Sequence, residues 1–156
     1  MFKLKRIRWD ENGGVAKNAQ RELPAGVRAY FNGVREVLAG NPKPSDLHQL
    51  RLLTKRLRYT LELFRPCYGP GLRARISGLR RLQRYLGEIN DCATAAAVAA
   101  ACSRKNSRQR AQLEQFLRQR RAEKVAEFRR EWTEIFDAPG RERWWTGYLA
   151  RHVRGK

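Results

Sequence analysis

Apolar residues in this chain recur at intervals of three and four, and no stretch shows the β-branched alternation of a half-buried strand. Glycine and proline cut the pattern into helix-length pieces. A first helix is predicted over about 15–39, interrupted at Pro24 and stopped by Gly40. The turn NPKPSD follows, with Ser45 or Asp46 as N-cap, and a second helix runs over about 46–65 to Pro66. PCYGPG leads into a third helix over about 71–101, and SRKNS separates it from a fourth over about 106–136. APG closes the fourth, and a short aromatic helix spans about 141–152. The predicted fold is all-α: an antiparallel four-helix bundle over 15–138 with a short C-terminal aromatic helix in the tail, 139–156. Residues 1–14 form an N-terminal arm with apolar side chains at 2, 4, 7 and 9.

The faces of the two central helices are sharply divided. At 100° per residue, Leu50, Leu53, Leu57, Leu61 and Phe64 fall within about 80° of one another, a single apolar stripe. His48, Arg51, Lys55 and Arg58 occupy a second sector, also about 80° wide, on the other side of the same helix. Leu52, Tyr59 and Leu63 lie beside that basic ladder, which suggests a second contact surface or cleft there. The third helix repeats the design, with Leu72, Ile76, Leu79, Leu82, Leu86 and Ile89 as core and Arg73, Arg80 and Arg84 clustered apart. In the fourth, Leu113, Phe116, Leu117, Phe128, Trp132 and Ile135 are the expected core stripe. Arg121 and Lys124 project into that same sector, either snorkelling along the core edge or lining an anion channel.

Charge gives these ladders a meaning. The chain carries 34 Lys+Arg against 15 Asp+Glu, a formal net charge of +19, with 26 arginines to 8 lysines. Arginine's planar fork grips phosphate oxygens in pairs, so the excess points to a polyanion: nucleic acid, an anionic membrane surface or a chain of phosphates. From Leu47 to Leu86 there are ten basic residues and one acid, Glu62. Such like charges repel unless an anion neutralises them, although a merely solvated basic face remains the alternative.

Other chemistries are poorly represented. Cys67, Cys92 and Cys102, without a CxxC, suit neither a disulfide framework nor a zinc site, and two histidines without ligand spacing argue against any metal. No glycine-rich phosphate loop follows a strand, so P-loop chemistry is excluded. Glu88 and Asp91 stand three apart, but the pair alone is weak evidence for acid–base catalysis; Asp91 is expected to cap the helix or orient an arginine. Gly78 and Gly87 are expected to permit close helix packing. The eleven residues from Cys92 to Cys102 are too short a run for a membrane span. MFKLKRIRW lacks the apolar stretch of a secretory signal, and a cytoplasmic location is the expectation.

The segment HQLRLLTKRLRYTLELF (48–64), followed by LRRLQRYLGEIND (79–91), resembles the CHAD family, the conserved histidine α-helical domain. The shared features are the His-x-x-Arg start, the basic Arg-Leu-Arg centre, and Leu-Gly-x-x-x-Asp near the end of the next helix. The resemblance implies an all-helical protein that binds inorganic polyphosphate, in some members at polyphosphate granules. It places His48, Arg51, Lys55 and Arg58 in the first basic motif, Arg80 and Arg84 before Leu86-Gly87, and Asp91 as the closing acid. With Arg73 from the helical ladder these are the polyphosphate-binding candidates, and Arg121 and Lys124 are additional ones.

Family members usually pair two such bundles about a pseudo-twofold, whereas the motif occurs once here, and His152 sits in the tail without it. A homodimer anchored by Trp132, Trp144, Trp145 and Tyr148 would restore the pair; docking of the aromatic tail on its own bundle is the default for those residues. A non-enzymatic protein without cofactor is expected. The rivals are non-specific RNA or DNA binding, and an accessory subunit of a polyphosphate- or triphosphate-handling enzyme.

Overall fold

Five α-helices carry most of the chain in a computed structural model that describes residues 8–102 and 108–151. They are α1 (Val15–Ala39), α2 (Pro44–Leu63), α3 (Gly71–Cys102), α4 (Arg108–Arg130) and α5 (Arg141–Arg151). A 3-10 turn, Arg65–Cys67, joins α2 to α3, and a π-helical turn, Glu131–Phe136, prolongs α4. No strand occurs among the described residues, in agreement with the all-α expectation. Apolar positions 2, 4 and 7, the SRKNS segment and His152 lie outside the described residues.

Two local expectations are corrected. Pro24 does not interrupt α1, which runs unbroken through it. A helix-interior proline costs about 3 kcal/mol, but Leu23, Val27, Tyr30, Phe31 and Val34 on the same helix are all buried, and tertiary packing holds the helix through the defect. The N-cap of α2 is Lys43, not Ser45 or Asp46. Pro44 takes the first helical position, where its missing N–H is no loss, and the Asp46 carboxylate accepts the Lys43 backbone N–H at 2.8 Å.

Long-range pairs set the helix directions. His48 meets Asn90, Arg58 meets Gln83, and Glu62 meets Arg80, so α2 and α3 run antiparallel. Arg81 with Glu131 and Glu88 with Lys124 give the same sense to α3 and α4. Gln20 with Ala150 and Arg35 with Glu142 lay α5 antiparallel on α1. Between α1 and α2 the buried Tyr30 hydroxyl bonds Thr54 Oγ1 at 2.8 Å.

The core stripes of α2 and α3 are where the periodicity placed them. Leu50, Leu57, Leu61 and Phe64 are buried, Leu53 packs against them half-buried, and all six α3 positions from Leu72 to Ile89 are buried. The α4 stripe is corrected. Leu113 and Phe116 are exposed, Leu117 is half-buried, and Ile135 is 45% exposed, whereas Phe128 and Trp132 are buried. Two physical causes act. Beyond Ile89, α3 buries only Ala99, and α4 buries only Phe128 near its end, so the first part of α4 lies on an α3–α4 extension past the core. The π turn then widens the helix to about 4.4 residues per turn. That brings Phe136 beneath Trp132, rings stacked at 5.0 Å, and swings Ile135 outward. The Asp137 N–H closes the turn on Trp132 O at 2.7 Å.

Trp145 is 1% exposed against Phe136, and Tyr148 stacks on Tyr68, so the aromatic tail docks on its own protomer. Gly71 is required there, because a Cβ on it would meet the Tyr148 ring at 2.6 Å. Gly78 faces Phe136 closely, but Gly87 has open space where a Cβ would stand, contrary to the packing role expected of it.

Candidate polyanion-binding face

The α2–α3 pair presents its cations along the seam between two antiparallel helices. At one end the exposed His48 shares a 2.7 Å hydrogen bond between Nδ1 and Asn90 Oδ1. At the other, Glu62 Oε1 accepts Arg58 at 2.8 Å and Arg80 at 3.0 Å on a single oxygen. Arg58 Nε also donates to Gln83 Oε1 at 2.8 Å, and its guanidinium lies 4.3 Å from the Tyr59 ring centroid. Arg58 is therefore fixed from three sides, and Arg80 is held by Glu62.

By the same register Arg51 and Lys55 fall between these ties, opposite residues 84–88. Arg51 is half-buried, with Nε enclosed and without a partner. Lys55 Nζ stands 5.6 Å from the Tyr59 ring centroid, and Arg84 is exposed over Tyr85. Among the described residues, Arg51, Lys55, Arg73 and Arg84 have no carboxylate within 4 Å. The run of positive charge is thus left uncompensated except at Glu62. Gly87, opposite Arg51, leaves the seam open close to its His48–Asn90 end. Beside it Leu52, Tyr59 and Leu63 are exposed along a shallow groove with Lys55 and Arg56.

The remaining candidates stand apart. Arg73 is exposed near the start of α3, and no contact ties it to the seam. Lys124 is taken up by Glu127 at 2.8 Å and Glu88 at 2.9 Å. Those carboxylates hold its ammonium above the usual lysine range, and Lys124 in turn holds Glu127 below the carboxylate range. Arg121 is half-buried and unpaired among the described residues. Asp91 is exposed and pairs with no arginine among the described residues; Glu88 is the acid of that pair that engages a cation. Sequence reasoning missed Gln83 and Asn90 as tethers, and it missed the buried Arg75 altogether. At 100° per residue Arg75 falls between Leu82 and Leu86, inside the apolar stripe, and that position was the available signal.

The family model for the CHAD domain matches residues 4–100. This chain belongs to the CHAD family. The match takes in α1, α2 and nearly all of α3, and with them every cation of the seam; α4 and α5 lie beyond it. No curated protein and no solved structure matches the chain. In this CHAD protein, no helix among the described residues is long and apolar enough to cross a membrane. Nor do three or more His, Cys, Asp or Glu residues gather there in a metal-binding group.

Proposed function

We propose that this CHAD-family protein binds inorganic polyphosphate along the α2–α3 seam, as a non-enzymatic cytoplasmic protein that associates with polyphosphate granules. The observation that carries the proposal is the uncompensated run of Arg51, Lys55 and Arg84 between two anchored ends, His48–Asn90 and Arg58–Glu62–Arg80. Polyphosphate offers successive charges without bases to stack or edges to read, and the seam offers cations at successive helical turns, with Gln83 taken up by Arg58 and the exposed Tyr59 ring beside Lys55 and Arg58. Arg73 and Arg121, which stand apart from the seam, would be additional contacts for a long chain. The antiparallel registers of α2–α3 and α3–α4 support a helical bundle behind the seam, completed by α5 on α1 and by the end of α4 rather than by its whole length. The test is competition: polyphosphate is expected to displace single-stranded RNA of equal phosphate content at moderate salt. The Lys55→Glu/Arg84→Glu double variant is expected to lose at least tenfold in polyphosphate affinity with unchanged helicity. RNA prevailing at equal phosphate would make this a nucleic-acid binder.

A further inference from the structure

A second basic site lies away from the seam, where the first turns of α3 meet α5. Arg75, Arg143, Trp144, Tyr148 and Arg151 line an open cleft there. Arg75 is 3% exposed. Its guanidinium carbon stands 3.4 Å from the Trp144 ring centroid and 3.9 Å from that of Tyr148. NH1 donates to Gly71 O at 2.9 Å and NH2 to Trp144 O at 2.5 Å, while Nε is enclosed and has no partner. Two aromatic faces and two carbonyls attract the cation, but none of them carries a full negative charge.

The missing element is a counter-ion. Among the described residues, no carboxylate pairs with Arg75, Arg143 or Arg151. The nearest acids along the chain, Asp137 and Glu142, are both taken by Arg35, at 2.5 and 2.7 Å. Burial pushes Arg75 down to about 10, and Arg141 adds to the depression. A desolvated cation without an anion is costly, and two exposed arginines at the same cleft raise the local positive potential further.

We propose that the α3–α5 cleft binds a terminal phosphoryl oxyanion, with Arg75 at its base and Arg143 and Arg151 supplying the forked outer contacts. Three guanidinium groups without a carboxylate suit a tetrahedral group with several charged oxygens better than a planar monoanion. The group could be a free phosphate compound or the end of a polyphosphate chain. The cleft is separate from the seam, and Trp144, Tyr148 and the outer arginines lie outside the matched CHAD residues, so the proposal stands independently of seam binding.

Calorimetry and tryptophan emission with inorganic pyrophosphate test it. Pyrophosphate is expected to bind the full chain and change its emission, and Trp144→Phe is expected to remove the change. Arg143→Ala/Arg151→Ala is expected to weaken binding about tenfold, whereas Arg108→Ala/Arg118→Ala, which removes equal charge elsewhere, leaves it intact. Equal losses in the two double variants, or undiminished affinity in the first, would overturn the site. Lys55→Glu/Arg84→Glu is expected to retain pyrophosphate binding while losing long polyphosphate. Failure of the seam proposal alone would show instead as unchanged affinity for long polyphosphate in that variant. Long polyphosphate blocked at both ends, if it still competes with pyrophosphate on the Lys55→Glu/Arg84→Glu protein, shows that the cleft does not require a terminal group and overturns the proposal.

Discussion

Glu62 is the residue whose replacement says most about the seam. It neutralises part of Arg58 and Arg80 while fixing both, so its two effects separate on substitution. Glu62→Gln is expected to tighten polyphosphate binding and steepen the dependence of log affinity on log salt by up to about two, one counter-ion per freed arginine. The same change is expected to remove about 1 kcal/mol of stability and lower Tm by about 2–4 °C; titrations at two salt concentrations and a thermal melt read both. His48 gives a second test. With Nδ1 on the Asn90 side, the ring is oriented with Nε2 away from that tether. His48→Gln, which removes the ring at that end of the seam, is expected to weaken polyphosphate binding at fixed pH and salt in a calorimetric titration, and unchanged affinity would place His48 outside the site. The cations were legible from helical spacing because they all sit on α2 and α3, and spacing along one helix is a local property. Their tethers were not. Gln83 and Asn90 meet Arg58 and His48 only once the register between helices is fixed, and one helix's sequence does not state that register.

At the scale of elements, α2 and α3 were readable because each buries a single stripe against the core. The α4 helix defeated the same reasoning for two separable reasons, the extension past the core and the π turn. The turn makes a sharp prediction. Phe136→Ala is expected to cost about 3–5 kcal/mol, as for a large buried aromatic, whereas Ile135→Ala is expected to stay within about 0.5 kcal/mol. Urea unfolding of the two variants decides it, since an uninterrupted α-helix through this segment would reverse the ranking. Leu113 and Phe116 show the limit of periodicity: an apolar stripe records what a helix could bury and is silent on whether anything lies opposite. Pro24 shows the converse, a local breaker overruled by the packing of five neighbours on its own helix.

For the whole molecule, the net charge of +19 sets the conditions of assembly. Trp132 and Trp145 are 2% and 1% exposed, so neither can anchor the dimer expected from the tail. Two free chains repel, and three of the apolar side chains left exposed, Leu52, Tyr59 and Leu63, lie beside the basic seam itself. Static light scattering is therefore expected to give a monomer alone and with tripolyphosphate, and larger particles once a chain is long enough to lie on two seams; aggregation with tripolyphosphate would contradict this. The triple tie of Arg58 to Glu62, Gln83 and Tyr59 also has a kinetic consequence. Side-chain freedom worth up to about 2 kcal/mol in a long cationic residue is already lost on folding. An arriving phosphate then exchanges with a carboxylate across a guanidinium that is already in place. If the seam holds polyphosphate as proposed, capture is expected to be fast, steered by the field of the whole protein, and polyanions that differ in affinity are expected to differ chiefly in how long they stay.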